Sequence, residues 1–143
     1  MFFYYRLMIP RLIASENPNV ISSSKAFVKE FAGDHNVSDL ITLSRSHHQY
    51  NIPGLRQHHF PCNEAPNDDQ LKSIFDIIDG AIARKRSAWV HCEKGYDRSG
   101  YVLRQYHIKM GYSESEVSER FEEKARSIVS DLRKFQRRKR TRE

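Results

Sequence analysis

The stretch "WVHCEKGYDRSGY", Trp89 to Tyr101, places a cysteine, two glycines and an arginine between an apolar run and a helix-forming run. "SAWVHC" reads as a buried strand, and "RSGYVLRQYHIKM" as a helix with Val102, Leu103 and Tyr106 facing inward. A tight loop that leads from a strand into a helix aims several backbone N–H groups at one spot. The helix dipole adds partial positive charge there, so the natural guest is an anion such as phosphate. A thiol at Cys92 would meet those amides and the guanidinium of Arg98, surroundings that favour a thiolate over a thiol.

Outward from this loop, the chain alternates strand and helix signals. "YYRLMIP" and "RLIAS" read as short strands, and the apolar opening "MFFYYRLMIP" as a cover for the sheet edge. "NPNVISSSKAFVKEFAGDHN" reads as a helix capped by Asn17 or Asn19 and ended by Gly33, with Val20, Phe27, Val28 and Phe31 on one face. "SDLITLS" suits a buried strand and "LRQHHFP" a further one stopped by Pro61. Asp68 and Asp69 open a helix whose Leu71, Ile74, Phe75, Ile78 and Ile82 form one apolar stripe. After Gly111 a helix restarts, with Ser113 and Glu116 as a capping box, and a final amphipathic helix carries Ile128, Val129, Leu132 and Phe135. The expected architecture is α/β: a central, mostly parallel twisted sheet flanked by helices.

The 143 residues suit one domain, and no repeat of 20–50 residues is visible. Of the 24 Lys and Arg, seven lie in the tail "RKFQRRKRTRE" with one acid, leaving residues 1–132 electrically balanced. We divide the chain into a folded domain, 1–135, and a basic tail, 136–143. The tail is either a solvated end or a contact for RNA, anionic membrane or an import receptor. The apolar runs fall short of a bilayer span, and the opening lacks the marks of a secretory signal. The expected location is intracellular, cytoplasm or nucleus. Two cysteines, Cys62 and Cys92, make no disulfide scaffold. No CxxC or HExxH spacing occurs, and His47, His48, His58 and His59 stand as neighbours rather than at i, i+4, so no metal and no cofactor is expected.

The run His91-Cys92-Glu93-Lys94-Gly95-Tyr96-Asp97-Arg98-Ser99-Gly100 is the HC-x5-R-S/T loop of cysteine-dependent phosphatases. The chain resembles the small atypical dual-specificity phosphatases over most of residues 5–135, including "PGLRQHHFP", the "DDQL" helix start and "KARSIVSDL". The resemblance implies a protein-tyrosine-phosphatase-like fold and hydrolysis of phosphotyrosine, with phosphoserine and phosphothreonine as further substrates. Cys92 would attack phosphorus to form a phosphocysteine. Arg98 would fork two phosphate oxygens, Ser99 would hydrogen-bond the sulfur as it leaves, and His91 would support the loop from below. Glu93, Lys94, Gly95, Tyr96 and Gly100 complete the phosphate cup. Lys94 can meet a second anionic group on the substrate, and Glu93 either discriminates against one or is simply solvated.

One departure is substantial. Most relatives carry the general acid as an aspartate about thirty residues before the cysteine, and aligning Phe60-Pro61 puts Cys62 there. Asp97 either supplies the proton, as the similar "G-x-D-R-T" loops of myotubularin-type lipid phosphatases imply, or orients Arg98 as its ion pair. Glu64 is the alternative donor, while Asp68 and Asp69 look committed to their helix start. Cys62 can also pair with Cys92 in a reversible disulfide. Two other activities stay open. "RSGYVLRQYHI" and "ERFEEKAR" resemble the capping-type RNA 5′-triphosphatases, whose diphosphate leaving group needs little protonation. Asp97 with Lys94 also admits a phosphoinositide phosphatase.

Overall fold

The last four strands in sequence run parallel to one another, and the last of them sits in the middle of the sheet. In this computed structural model, which describes residues 2–18, 25–93 and 97–142 (side chains other than those of 129 and 131–142), the strands are β1 (Tyr4–Tyr5), β2 (Leu12–Ser15), β3 (Val37–Thr42), β4 (Arg56–His59) and β5 (Ser87–His91). The order is β1-β2-β5-β3-β4, with β1 antiparallel to β2 at one edge. The helices are α1 (Lys25–Asp34), α2 (Asp68–Ala83), α3 (Arg98–Lys109) and α4 (Glu114–Arg142).

Strand alternation divides the core in two. Leu12 and Ala14 of β2, Ile41 of β3 and Ala88 and Val90 of β5 face one side, where α2, α3 and α4 pack with Leu71, Ile74, Ile78, Val102, Leu103, Tyr106 and Ile128. Ile13, Leu40 and Trp89 face the other, against Val28 and Phe31 of α1. Trp89 is fully buried and its Nε1–H donates to Ser15 Oγ at 2.7 Å, so the indole leaves no orphan donor. β5 is buried along its whole length because β2 and β3 pair with it on both sides. This is why "SAWVH" reads as a continuous apolar run rather than an alternation.

Several local expectations are corrected. From Glu114 to Arg142 the chain is one continuous α4, with no break between the two expected helices. The side chains of Val129, Leu132 and Phe135 lie outside the described residues, as does Val20. α1 does not stop at Gly33 but runs to Asp34, and the left-handed residue after it is Asn36, with φ 56°. The backbone N–H of Asn17 donates to Glu93 O at 3.4 Å, tying the end of β2 to the loop after β5, while Asn19 and the rest of 19–24 lie outside the described residues. α2 begins as expected, with Asn67 and Gln70 forming a reciprocal capping box and Asp68 and Asp69 in the first turn.

The four neighbouring histidines separate into structural contacts. His58 and Arg84 each meet the buried Asp39 carboxylate at 2.9 Å, and Ser38 Oγ donates to it at 2.6 Å. Burial works to raise the Asp39 carboxyl, but the bonds from Ser38 and His58 and the charges of His58 and Arg56 outweigh it and hold the group below its usual range. His59 Nε2 donates to Ser44 O at 2.7 Å, His47 stacks on His59, and His48 packs on Tyr50. Among the described residues, no helix is long and apolar enough to cross a membrane.

Candidate active site

In an open parallel sheet a ligand binds beyond the carboxyl ends of the strands, where the connections diverge to either side. β5 ends there, between β2 and β3, and its chain leads through residues 92–97 into α3. Strand parity decides which way each side chain points. Cys92 continues the Ala88–Val90 series and enters the core beside α3, whereas His91 follows Trp89 to the opposite face.

Cys92 is 1% exposed, and its Sγ lies 3.3 Å from Ser99 Oγ in the first turn of α3. Ser99 is itself fully buried, so the two atoms meet out of solvent. The hydroxyl can donate to a sulfur that carries negative charge, and the N-terminal dipole of α3 acts in the same sense.

His91 is buried on the far side, with Nε2 2.8 Å from Thr42 Oγ1 on β3. Burial, reinforced by the nearby positive charge of His47 and His59, pulls its pKa down to about 3. The imidazole is neutral at physiological pH and is seated as a strut between β5 and β3.

Arg98 opens α3, and its guanidinium reaches across to the loop after β4: Nη1 donates to Cys62 O at 2.7 Å and approaches Leu43 O at 3.5 Å. Cys62 N donates back to Leu43 O at 3.2 Å, so the cysteine-bearing loop after β4 is stitched to the end of β3. Burial raises the Cys62 thiol above its usual value, with Arg98 opposing and Cys92 reinforcing that shift. The two cysteines therefore sense each other, and Cys62 packs against the core cluster that holds Cys92.

Asp97 occupies the N-cap position of α3 but makes no side-chain capping bond, and it is exposed. Its carboxylate is therefore not consumed by the helix, and the guanidinium of Arg98 is turned to Cys62 O. Glu64 is exposed on the loop after β4, next to Asn63, whose Oδ1 accepts from Arg45 Nε at 2.6 Å. Glu93 is exposed, with its carbonyl engaged by Asn17. Lys94, Gly95 and Tyr96 lie outside the described residues.

Gly100, in the first turn of α3, packs against α4 and β1. A Cβ there would come within 2.3 Å of Phe121 on α4 and 3.2 Å of Tyr5 Oη on β1, so a hydrogen at this position is what lets α4 close on α3. Arg104 completes the contact, stacked 4.2 Å from the Phe121 ring centre. Sequence reasoning missed this layer, and it missed Thr42 beneath His91. The only signal in the chain was the pair of aromatic residues in "YYRLMIP" and "ERFEEKAR", which by themselves read as core.

Residues 16–112, more than half of the chain, match the Tc-R-P family, described as "Polymorphic toxin system, DSP-PTPase phosphatase". The fold is similar to that of PTPMT1 (TM-score 0.69, 17% identity, 92% of this chain and 99% of that one). It is also similar to human DUSP28 (0.61, 17%, 87% and 92%) and to P. aeruginosa TpbA in complex with pTyr (0.61, 19%, 80% and 68%). The mixed five-stranded sheet with its flanking helices is thus the α/β architecture of the protein-tyrosine-phosphatase-like enzymes. From the matched family and the loop at the end of β5, this chain belongs to the Tc-R-P family of DSP-PTPase phosphatases and is a cysteine-based dual-specificity phosphatase.

Proposed function

We propose that this phosphatase hydrolyses phosphotyrosine, with phosphoserine and phosphothreonine as further substrates, through a phosphocysteine on Cys92. The observation that carries the reading is the buried Cys92 Sγ, 3.3 Å from Ser99 Oγ, at the N-terminus of α3. Cys92 attacks phosphorus and the ester oxygen departs. Arg98 leaves the Cys62 carbonyl to fork two phosphate oxygens as charge builds on them. Water then attacks the phosphocysteine, and Ser99 steadies the sulfur as it leaves.

Asp97 is our proton donor to the leaving oxygen. The support is its exposed carboxylate beside the loop, unused by helix capping and not held by Arg98. Glu64, on the loop that Arg98 tethers through Cys62, is the alternative. The neutral, strand-bridging His91 acts as a support for the loop and takes no proton in the reaction. Phosphotyrosine leads because the similar fold of TpbA is seen with pTyr. The likeness to capping-type RNA triphosphatases is weaker support: Gly100, Arg104 and Phe121, which carry it, serve the packing of α3 on α4 whatever the substrate. A reaction that needs a reduced Cys92 suits the cytoplasm or nucleus.

Side-by-side assay of the purified chain on a phosphotyrosine peptide, triphosphate-ended RNA and a phosphoinositide tests the substrate. We expect the peptide to be turned over fastest. An RNA preference that falls steeply with salt would replace this reading, because only backbone phosphate contacts give that dependence. Cys92→Ser should abolish turnover on all three.

A further inference from the structure

Tyr5 sits on β1, far from the cysteine loop in sequence, yet its side chain ends against the first turn of α3. The two residues of β1 divide as strand alternation requires: Tyr4 is 44% exposed, while Tyr5 is 6% exposed and belongs to the same core cluster as Cys92. The ring crosses beneath α3, and its Oη would lie only 3.2 Å from a Cβ on Gly100, the residue next to Ser99. Among the described residues this hydroxyl has no hydrogen bond of ordinary geometry, although Ser99 is the side chain placed to offer one. A buried hydroxyl without a partner is unfavourable, and a phenylalanine would fill the space without that cost. A tyrosine held here therefore calls for a role in which the hydroxyl finds its partner.

We infer that Tyr5 is a positioning residue for the breakdown of the phosphocysteine, holding the Ser99 hydroxyl in the orientation that donates to Cys92 Sγ. The inference rests on the proposed role of Cys92 as nucleophile. In that step water attacks phosphorus, the P–S bond breaks, and its electron pair stays on the sulfur as a thiolate. Water gives up its proton to the carboxylate left when the general acid protonated the departing ester oxygen in the first step. Ser99 has one proton and, in donating it toward the sulfur, leaves oxygen lone pairs for a donor on its other side. Tyr5 O–H is that donor, so the chain runs Tyr5 O–H to Ser99 O–H to Sγ. A serine hydroxyl otherwise rotates among staggered positions, and a hydrogen bond into its oxygen both fixes the rotor and polarises it toward the anion. Burial, with the negative charge of Cys92 adding to it, pushes the phenol far above its ordinary pKa, so the ring keeps the proton it must donate.

The test follows the two chemical steps separately in the full-length chain. With p-nitrophenyl phosphate and rapid mixing, the burst reports formation of the phosphoenzyme. The decay of radiolabelled phosphoenzyme, chased with unlabelled substrate, reports its breakdown. For Tyr5→Phe we expect an unchanged burst, breakdown slowed about three- to tenfold (one neutral hydrogen bond), and a Tm equal to or above that of the parent. In a Ser99→Ala background the same change should have no further effect. Breakdown by Tyr5→Phe within a factor of about two of the parent, or losses that multiply in the double variant, would overturn the inference while leaving the phosphocysteine intact. A Tm below the parent's together with equal slowing of both steps would also overturn it, since that is the mark of a purely structural ring. If Cys92→Ser still gives a burst and turns over, the underlying reading fails first, and the two failures are told apart.

Discussion

Acidification should destabilise this protein through His91, and the size of the effect follows from where the ring sits. His91 is 3% exposed, and burial next to His47 and His59 holds its pKa at about 3 in the folded chain. In the unfolded chain it returns to about 6.5. Between those two values the unfolded state binds the extra proton, so stability rises with pH across the window and is lost as pH falls. Going from about pH 7.5 to about pH 5 therefore removes about 2 kcal/mol through this one residue. His35 and His107, whose pKa values burial also lowers, add to the slope in the same direction. The assay is urea unfolding of the parent and of His91→Asn at both pH values. Asparagine keeps a polar partner for Thr42 but cannot titrate, so the variant should lose about 2 kcal/mol less than the parent over the same interval. Equal losses in the two proteins would refute the reasoning, because they would mean that His91 is either solvated or already charged when folded.

Three further outcomes follow from particular contacts. Gly100→Ala forces Phe121 to move by more than an ångström and should cost about 1–3 kcal/mol in chemical unfolding, with partial recovery when Phe121→Leu is added. Asp97→Asn should slow turnover of an alkyl phosphate by about 10²–10⁴-fold while sparing an aryl phosphate with an acidic leaving group, and undiminished alkyl turnover would pass the donor role to Glu64. Asn67→Ala removes the reciprocal cap of α2 and should cost about 0.5–2 kcal/mol, read as a lowered Tm, with activity unchanged at temperatures where the chain stays folded.

The features legible along the chain are those that short-range physics sets. The apolar run "SAWVHC", the spacing from Cys92 to Arg98 and the helix signals after it place a loop between a buried strand and a helix, and that local grammar needs no knowledge of distant partners. The stripe of α2 and its acidic first turn were legible for the same reason. Boundaries that depend on competition were not: Asn36, not Gly33, takes the left-handed turn after α1, and α4 runs on without a break past residue 128. Tertiary structure alone decided which residues surround the thiol. Tyr5 reaches the start of α3 and His107 Nε2 accepts the N–H of Ile9 at 2.9 Å, both across more than 90 residues, and Phe121 closes on Gly100 from the next helix. It also turned Arg98 onto the carbonyl of Cys62, a contact between the start of α3 and the loop after β4 that only the parallel pairing of β3 with β4 and β5 brings side by side. The reason is that a strand's parity and a helix's period are set within a few residues, whereas the partner of a buried hydroxyl or guanidinium is set by how the layers close.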